Sequence, residues 1–280
     1  MVYGKRTFYG KRRAAGKRRV YRRRSGLGAK SVKKIAESVV ERGRETKSIQ
    51  QIINLQQVYP YSQGNAGAID TAIVFALTPN NTLTLPAQGM GGLFQGTGQG
   101  QRIGNAVQFT KGSLRMMLSC NSYNNVTNPT PQPVMVRIFV GYDKTTALGQ
   151  PDNGLPDFFQ DGNVSRAPAS NLTDMFSKVN TDRYTICYTR IVKVGNAEYF
   201  GSGQNQNQQY YTNNDYKINP IVNIDFTKRM IKHAKFDDAV STQSQRTTWC
   251  WLLVSPASGT TMIGAPLSFQ CQIANNFKDA

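Results

Sequence analysis

The chain has 280 residues and carries 34 Lys or Arg against 16 Asp or Glu, a formal net charge of +18. The length is ample for a well-buried core, no apolar run reaches the ~18 residues of a membrane span, and no secretory signal opens the sequence. The composition thus reads as a protein of cytosol or nucleus with no membrane partner. Residues 1–47 hold 17 basic and 3 acidic side chains, net +14, whereas residues 48–280 hold 17 and 13, net +4; an arm this basic needs a polyanionic partner.

The arm comes first. Residues 1–24 contain eleven Lys or Arg and no acid: Lys5, Arg6, Lys11, Arg12, Arg13, Lys17, Arg18, Arg19, Arg22, Arg23 and Arg24, interleaved with Tyr3, Phe8, Tyr9 and Tyr21. A segment so charged cannot collapse onto itself and is expected to be largely disordered until bound. A short helix is expected over residues 31–42, with Ser31 as N-cap, Val32, Ile35, Ala36, Val39 and Val40 on one face, and Gly43 as the stop.

From Ser48 the period changes to two. Ile53, Leu55, Gln57 and Tyr59 alternate up to Pro60, and Ile69, Thr71, Ile73, Phe75 and Leu77 up to Pro79. After a Gly-rich loop, Ile103, Val107 and Phe109 share a face; Leu114, Met116 and Leu118 continue it only after a phase change near Lys111 and Gly112, expected to be a bulge in one long strand. Val134 to Tyr142 form the next strand, followed by a turn-rich loop through Asp161 and a brief helix over residues 171–179. In residues 181–194, Tyr184, Ile186, Tyr188 and Val192 are expected on one side, with Ile191 on the other. A surface loop over residues 201–214 precedes Val222, Ile224 and Phe226. Trp249 to Val254 is a continuous apolar run that implies burial on both faces, and Leu267, Phe269, Cys271 and Ile273 close the chain. Roughly eight strands with almost no helix describe an all-β domain over residues 48–280, a double-sheet jelly roll or another sandwich.

Catalytic chemistry finds no support. The lone histidine, His233, sits in the basic run KRMIKHAK without a catalytic partner and reads as a surface loop residue. Asp237 and Asp238 suit a turn. The loop Gly89–Gly104 lacks the spacing of a phosphate-binding motif, and no helix-forming run follows it. Cys120, Cys187, Cys250 and Cys271 form no CxxC pair and fit buried free thiols in a reducing compartment. No enzyme, cofactor, metal or catalytic residue is expected.

The arm is different in kind. Its cations would release condensed counterions on meeting phosphate, and Tyr21 with the other aromatic residues would stack on unpaired bases, which favours single strands without sequence preference. The same cations would serve a nuclear localisation signal and so engage nuclear import machinery. Such an arm also fits a small RNA virus capsid or a cellular nucleic-acid-binding protein without sequence specificity.

An Arg-rich N-terminus on an enzyme-free β domain resembles the capsid proteins of small circular single-stranded DNA viruses. QRIGNAVQFTKGSLRM, Gln101 to Met116, is similar to the early-strand pattern of circovirus-like capsid proteins, where an RIG-type turn precedes a strand with spaced basic residues. NTDRYTICYTRIVKVG, Asn180 to Gly195, resembles their segment in which an Asn-x-Asp-Arg-aromatic turn enters a strand; Thr189 and Arg190 stand where that family often has Asp-Lys. The resemblance implies an eight-stranded jelly-roll capsid subunit, about sixty copies of which close an icosahedral shell around a single-stranded DNA genome, with the arm pointing inward. Virion and host nucleus are the implied locations. Sixty such arms would carry on the order of 800 positive charges, a large share of a small genome's phosphates.

Overall fold

The computed structural model describes residues 29–43, 45–58, 73–79, 92–121, 133–145, 155, 157–195, 216–228, 230–236, 247–257 and 264–279. The chain divides into two units, Met1–Arg44 and Glu45–Ala280. In the first, α1 spans Ala29–Gly43. It begins two residues ahead of the expected N-cap, so Ser31 lies inside the helix, because Ala29 and Lys30 are themselves good helix formers. Lys33 and Glu37 form an i,i+4 ion pair at 3.9 Å.

The second unit is all-β and antiparallel. Its strands are β1 (Lys47–Val58), β2 (Ile73–Ala76), β3 (Ala106–Cys120), β4 (Val134–Asp143), β5 (Phe159–Asp161), β6 (Val164–Arg166), β7 (Tyr184–Val194), β8 (Ile221–Asp225), β9 (His233–Lys235), β10 (Trp249–Pro256) and β11 (Leu267–Asp279). The sequence led to roughly eight strands; among the described residues there are eleven, since β5, β6 and β9, three residues each, are too short to show a period. One sheet runs β1-β11-β3-β8, with β9 pairing β3 beyond the end of β8; a second runs β2-β10-β4-β7; β5 and β6 form a hairpin. The expected helix at 171–179 is a 3-10 turn at Leu172–Met175, capped by Asn171, whose side chain accepts from the Asp174 N–H.

Both large sheets contribute to one buried core: Val107, Leu114, Met116, Ile224 and Phe269 from the first, Phe75, Val136, Ile138, Leu252 and Val254 from the second. The other face of the second sheet is covered too. Phe139, Trp249, Trp251 and Tyr184 pack there against Phe158 and Phe159 of the hairpin segment and Met175 of the 3-10 turn, with the Phe158 ring 5.1 Å from Tyr184 and 5.9 Å from Trp251. Every residue of β10 is buried, which is why its sequence is apolar without alternation.

Bulges set which residues face which core. In β3 the pairing with β11 shifts between Lys111 and Phe109, leaving Thr110 as the extra residue, and the buried positions change parity there. Gly112 follows because a Cβ on it would lie 2.3 Å from the Phe226 ring. Between β4 and β7 the shift falls at Val140/Gly141 and leaves Cys187 over; a Cβ on Gly141 would meet the Thr185 carbonyl oxygen at 2.1 Å. This corrects the expectation for β7. Ile186 and Tyr184 face the aromatic cluster, whereas Tyr188 and Val192 face the core between the sheets. A third shift, between Ile53 and Gln56 of β1, buries Ile53 and Val58 and turns Leu55 outward beside Ile52.

All four cysteines are free thiols, but only Cys250 and Cys271 are buried; Cys120 and Cys187 are half-buried. Burial pushes the Cys250 thiol up, helped by nearby Cys271, and pushes Cys271 up to about 12.

Candidate nucleic-acid interface

The arm positions Lys5, Arg6, Lys11, Arg12, Arg13, Lys17, Arg18, Arg19, Tyr21, Arg22, Arg23 and Arg24 lie outside the described residues, as do Asp237 and Asp238. Many of the described cations of the β unit fall into two groups, one committed to the fold and one gathered on a single surface, while Lys144, Lys178, Arg190 and Lys217 are exposed elsewhere.

The committed group begins with Lys47, which the sequence places with the basic segment. Its side chain is 3% exposed and pairs with Asp279 at 2.9 Å, while its ammonium also donates to the Gln101 carbonyl at 3.0 Å. Asp279 in turn accepts from the Ile103 N–H. These contacts join the start of β1, the end of β11 and the loop before β3. Arg102 of the RIG turn is fully buried. Its guanidinium donates to the carbonyls of Leu93 and Gly104 and to the Asn105 side chain and sits 4.8 Å over the Phe236 ring. The Gly-rich loop is thereby folded on itself: the Gly96 N–H donates to the Arg102 carbonyl and the Gly98 N–H to the Gln101 side chain, so these two amides are not presented to an anion.

Three more arginines brace the aromatic cluster. Arg166 pairs with Asp161 and with fully buried Asp174. Burial lowers its pKa, but the hydrogen bonds to Asp174 and Asp161 outweigh this and the net shift is upward. Arg137 donates to the carbonyls of Asp174 and Ser177 and lies over Phe139; burial lowers its pKa more than Asp174 raises it. In the NTDRY turn, Asn180 accepts from the Asp182 N–H, Arg183 reaches Asp143 and Asp157, and Tyr184 enters the cluster. Each segment that carried the family resemblance thus commits one arginine to the fold, Arg102 or Arg183, and leaves another exposed, Arg115 or Arg190.

The surface group lies on the outward face of the five-stranded sheet. With Phe109, Gly112, Leu114 and Met116 turned inward, Lys111, Ser113 and Arg115 point out. Register then assembles rows from distant parts of the chain. Lys278 lies opposite Gln108 and Gln108 opposite His233; Lys111 lies opposite Asn276; Arg115 has Gln272 on one side and Asn223 on the other. Lys235 ends β9, and exposed Lys228 and Lys232 flank the join between β8 and β9. His233 is exposed, as expected, but on a strand and not in a loop. The described acid on this face is Asp225. Its carboxyl is held below the ordinary range first by hydrogen bonds from the Thr227 hydroxyl and N–H, then by Lys111 and Lys228.

This face is cationic and hydrogen-bonding at its centre, with Ile52, Leu55 and Ile221 exposed on β1 and β8, and without aromatic residues among the described strands, so it suits phosphate and sugar contacts and not base stacking. Neither its cations nor their grouping stood out in the sequence. KRMIKHAK was the visible signal, but its meaning depends on β9 pairing with β3. Among the described residues no three His, Cys, Asp or Glu side chains gather as a metal site. No protein-family model matches the chain, and no curated protein matches it.

Proposed function

We propose that this chain is a structural capsid subunit that self-assembles into an icosahedral shell and packages single-stranded DNA through its N-terminal arm. The observation that carries the reading is the strand order. Successive long strands alternate between the sheets except at β4 and β7, which pair within one, giving β1-β11-β3-β8 against β2-β10-β4-β7, the interleaved double Greek key expected of an eight-stranded jelly roll, with β9 extending β8 and the β5–β6 hairpin as an insertion. A domain of this kind with a net charge of only +4 over residues 48–280, behind an arm holding eleven cations in 24 residues, favours a container over an enzyme. The outward face of the five-stranded sheet adds a second cationic surface, which in this reading contacts phosphates of the packaged genome and leaves sequence unread.

Negative-stain microscopy of the expressed chain, with DNase and RNase typing of the extracted nucleic acid, tests the reading. Closed particles of uniform diameter with DNase-sensitive contents are expected. RNase-sensitive contents would transfer the same architecture to an RNA genome. A chain that stays monomeric or forms small oligomers in every salt and nucleic-acid condition would instead be a cellular nucleic-acid-binding protein.

A further inference from the structure

Helix α1 carries an exposed apolar face. At about 100° per residue, Val32, Ile35, Ala36 and Val39 fall within one arc of roughly 100°, and Val32, Ile35 and Val39 are 51%, 49% and 61% exposed. Lys30 and Lys34 project from the opposite side with Glu37, and Lys33 stands on the shoulder between the two faces. Phosphates gain nothing from valine and isoleucine, and α1 has no aromatic ring on which a base could stack.

We propose that α1 is an anchor that lies in the surface of an anionic lipid bilayer, its Val32–Ile35–Val39 stripe entering the headgroup boundary and its lysines meeting the acidic headgroups. Charge selects this occupant over a second copy of the helix. Over Ala29–Gly43 α1 carries Lys30, Lys33, Lys34 and Arg42 against Glu37 and Glu41, net +2, and a further eleven Lys or Arg with no acid occupy residues 1–24, so two copies meet with like charge whereas an anionic surface offers the opposite sign. An amphipathic helix of low net hydrophobicity with a lysine-rich polar face is the form that seats ~5–10 Å into such an interface, and the neighbouring polybasic segment supplies the second attraction that a short apolar stripe needs for stable attachment. The sequence offered no membrane partner because no segment is long enough to span; a helix lying in the surface needs no span. The proposal uses α1 and the charge of the arm, and stands or falls independently of the shell.

The test uses the full chain, stripped of nucleic acid by nuclease and high salt, in flotation with vesicles of phosphatidylcholine alone or with ~30% phosphatidylglycerol. The wild-type chain is expected to float with the anionic vesicles only, and part of it to stay bound at about 0.5 M salt, where surface charge is screened within a few Å. V32S/I35S/V39S, with every charge retained, is expected to lose that salt-resistant fraction and to bind anionic vesicles about tenfold more weakly, with single-stranded DNA binding unchanged. In a second variant, I35W, the new indole is expected to shift to the blue on vesicle binding and to be quenched by brominated acyl chains, over the constant background of buried Trp249 and Trp251. Wild-type failure to float, equal binding by the triple variant, parallel loss of DNA binding, or an I35W indole indifferent to brominated lipid would each overturn the proposal. So would a sedimentation change of the lipid-free chain caused by the triple variant, which would make the stripe a contact between copies.

Discussion

The two large sheets share one core but differ in what their far faces do. The four-stranded sheet β2-β10-β4-β7 is covered again by the aromatic cluster of Phe158, Phe159, Tyr184 and Trp251, so its strands have no solvent face over much of their length. The five-stranded sheet turns Gln, Asn, Ser, Lys and Arg outward from its central strands, with Ile52, Leu55 and Ile221 exposed on β1 and β8. The four-stranded sheet commits its far face to stability, including the arginines held by Asp174 and Asp143. The five-stranded sheet leaves its outer face available for a partner, and its exposed charge is almost entirely positive. On this division, substitutions in the four-stranded sheet's outer cluster should change stability and leave binding alone, and substitutions on the five-stranded sheet's outer face should do the reverse.

The largest effect is expected from Trp251→Ala, which removes a fully buried indole from the aromatic cluster at a cost of about 3–5 kcal/mol, read in denaturant or thermal unfolding. If the folded fraction also bound single-stranded DNA with a changed salt slope, the division of labour would be wrong. Asp174→Ala comes next. It leaves Arg166 without its buried partner and is expected to destabilise by about 3 kcal/mol, less whatever Asp161 at the exposed end of the pair retains.

Alkaline pH probes the shared core. Because the folded-state pKa of Cys271 is raised from 9.0 to about 12, the contribution of its neutral thiol is fully present below about pH 9 and is lost as pH rises toward 12. Thermal unfolding followed from pH 8 to 11 should show this loss, and Cys271→Ala should reduce it, leaving the part that buried Cys250 contributes. A wild-type loss no larger than the variant's would mean that the Cys271 thiol is hydrated.

The smallest stability effect and the largest binding effect belong to K111Q/R115Q/K228Q on the cationic face. Unfolding should shift by no more than about 0.5 kcal/mol, whereas the log–log salt slope for single-stranded DNA should fall by about 2, three cations at ~0.7 each. Asp225→Asn should act in the opposite direction and tighten binding at low salt. An unchanged slope in the triple variant would confine nucleic-acid contact to the arm.

Much of the fold was legible where periodicity is undisturbed. The continuous apolar run of β10 announced a strand buried on both faces, and the phase change at Lys111–Gly112 announced the bulge in β3 because a glycine marks the place where Phe226 approaches the backbone. The bulge near Leu55 carries no such marker, and the glycine at the Cys187 bulge, Gly141, stands on the partner strand β4, so Tyr184 and Tyr188 were assigned to one face and Leu55 was placed beside Ile53. The spaced Lys111 and Arg115 and the run KRMIKHAK were visible in the sequence, but their gathering on one face was not: Lys278, His233 and Lys111 become neighbours only through the β11–β3–β9 register. Arg102 and Arg183 looked like part of a basic pattern, and their burial follows from loops and turns that periodicity does not describe. The arm's cations, by contrast, are a property of composition alone.

If, as proposed, a shell-forming β unit carries an arm that holds nucleic acid, removing the arm should empty the shell without opening it. The decisive measurement is the nucleic-acid content, from the ratio of absorbance at 260 and 280 nm, of particles formed by the full chain and by a chain lacking residues 1–24. Closed shells are expected from both, with the shortened chain's particles largely depleted of nucleic acid. Shells that retain their full content without those residues, or no shells from either chain, would refute the proposal.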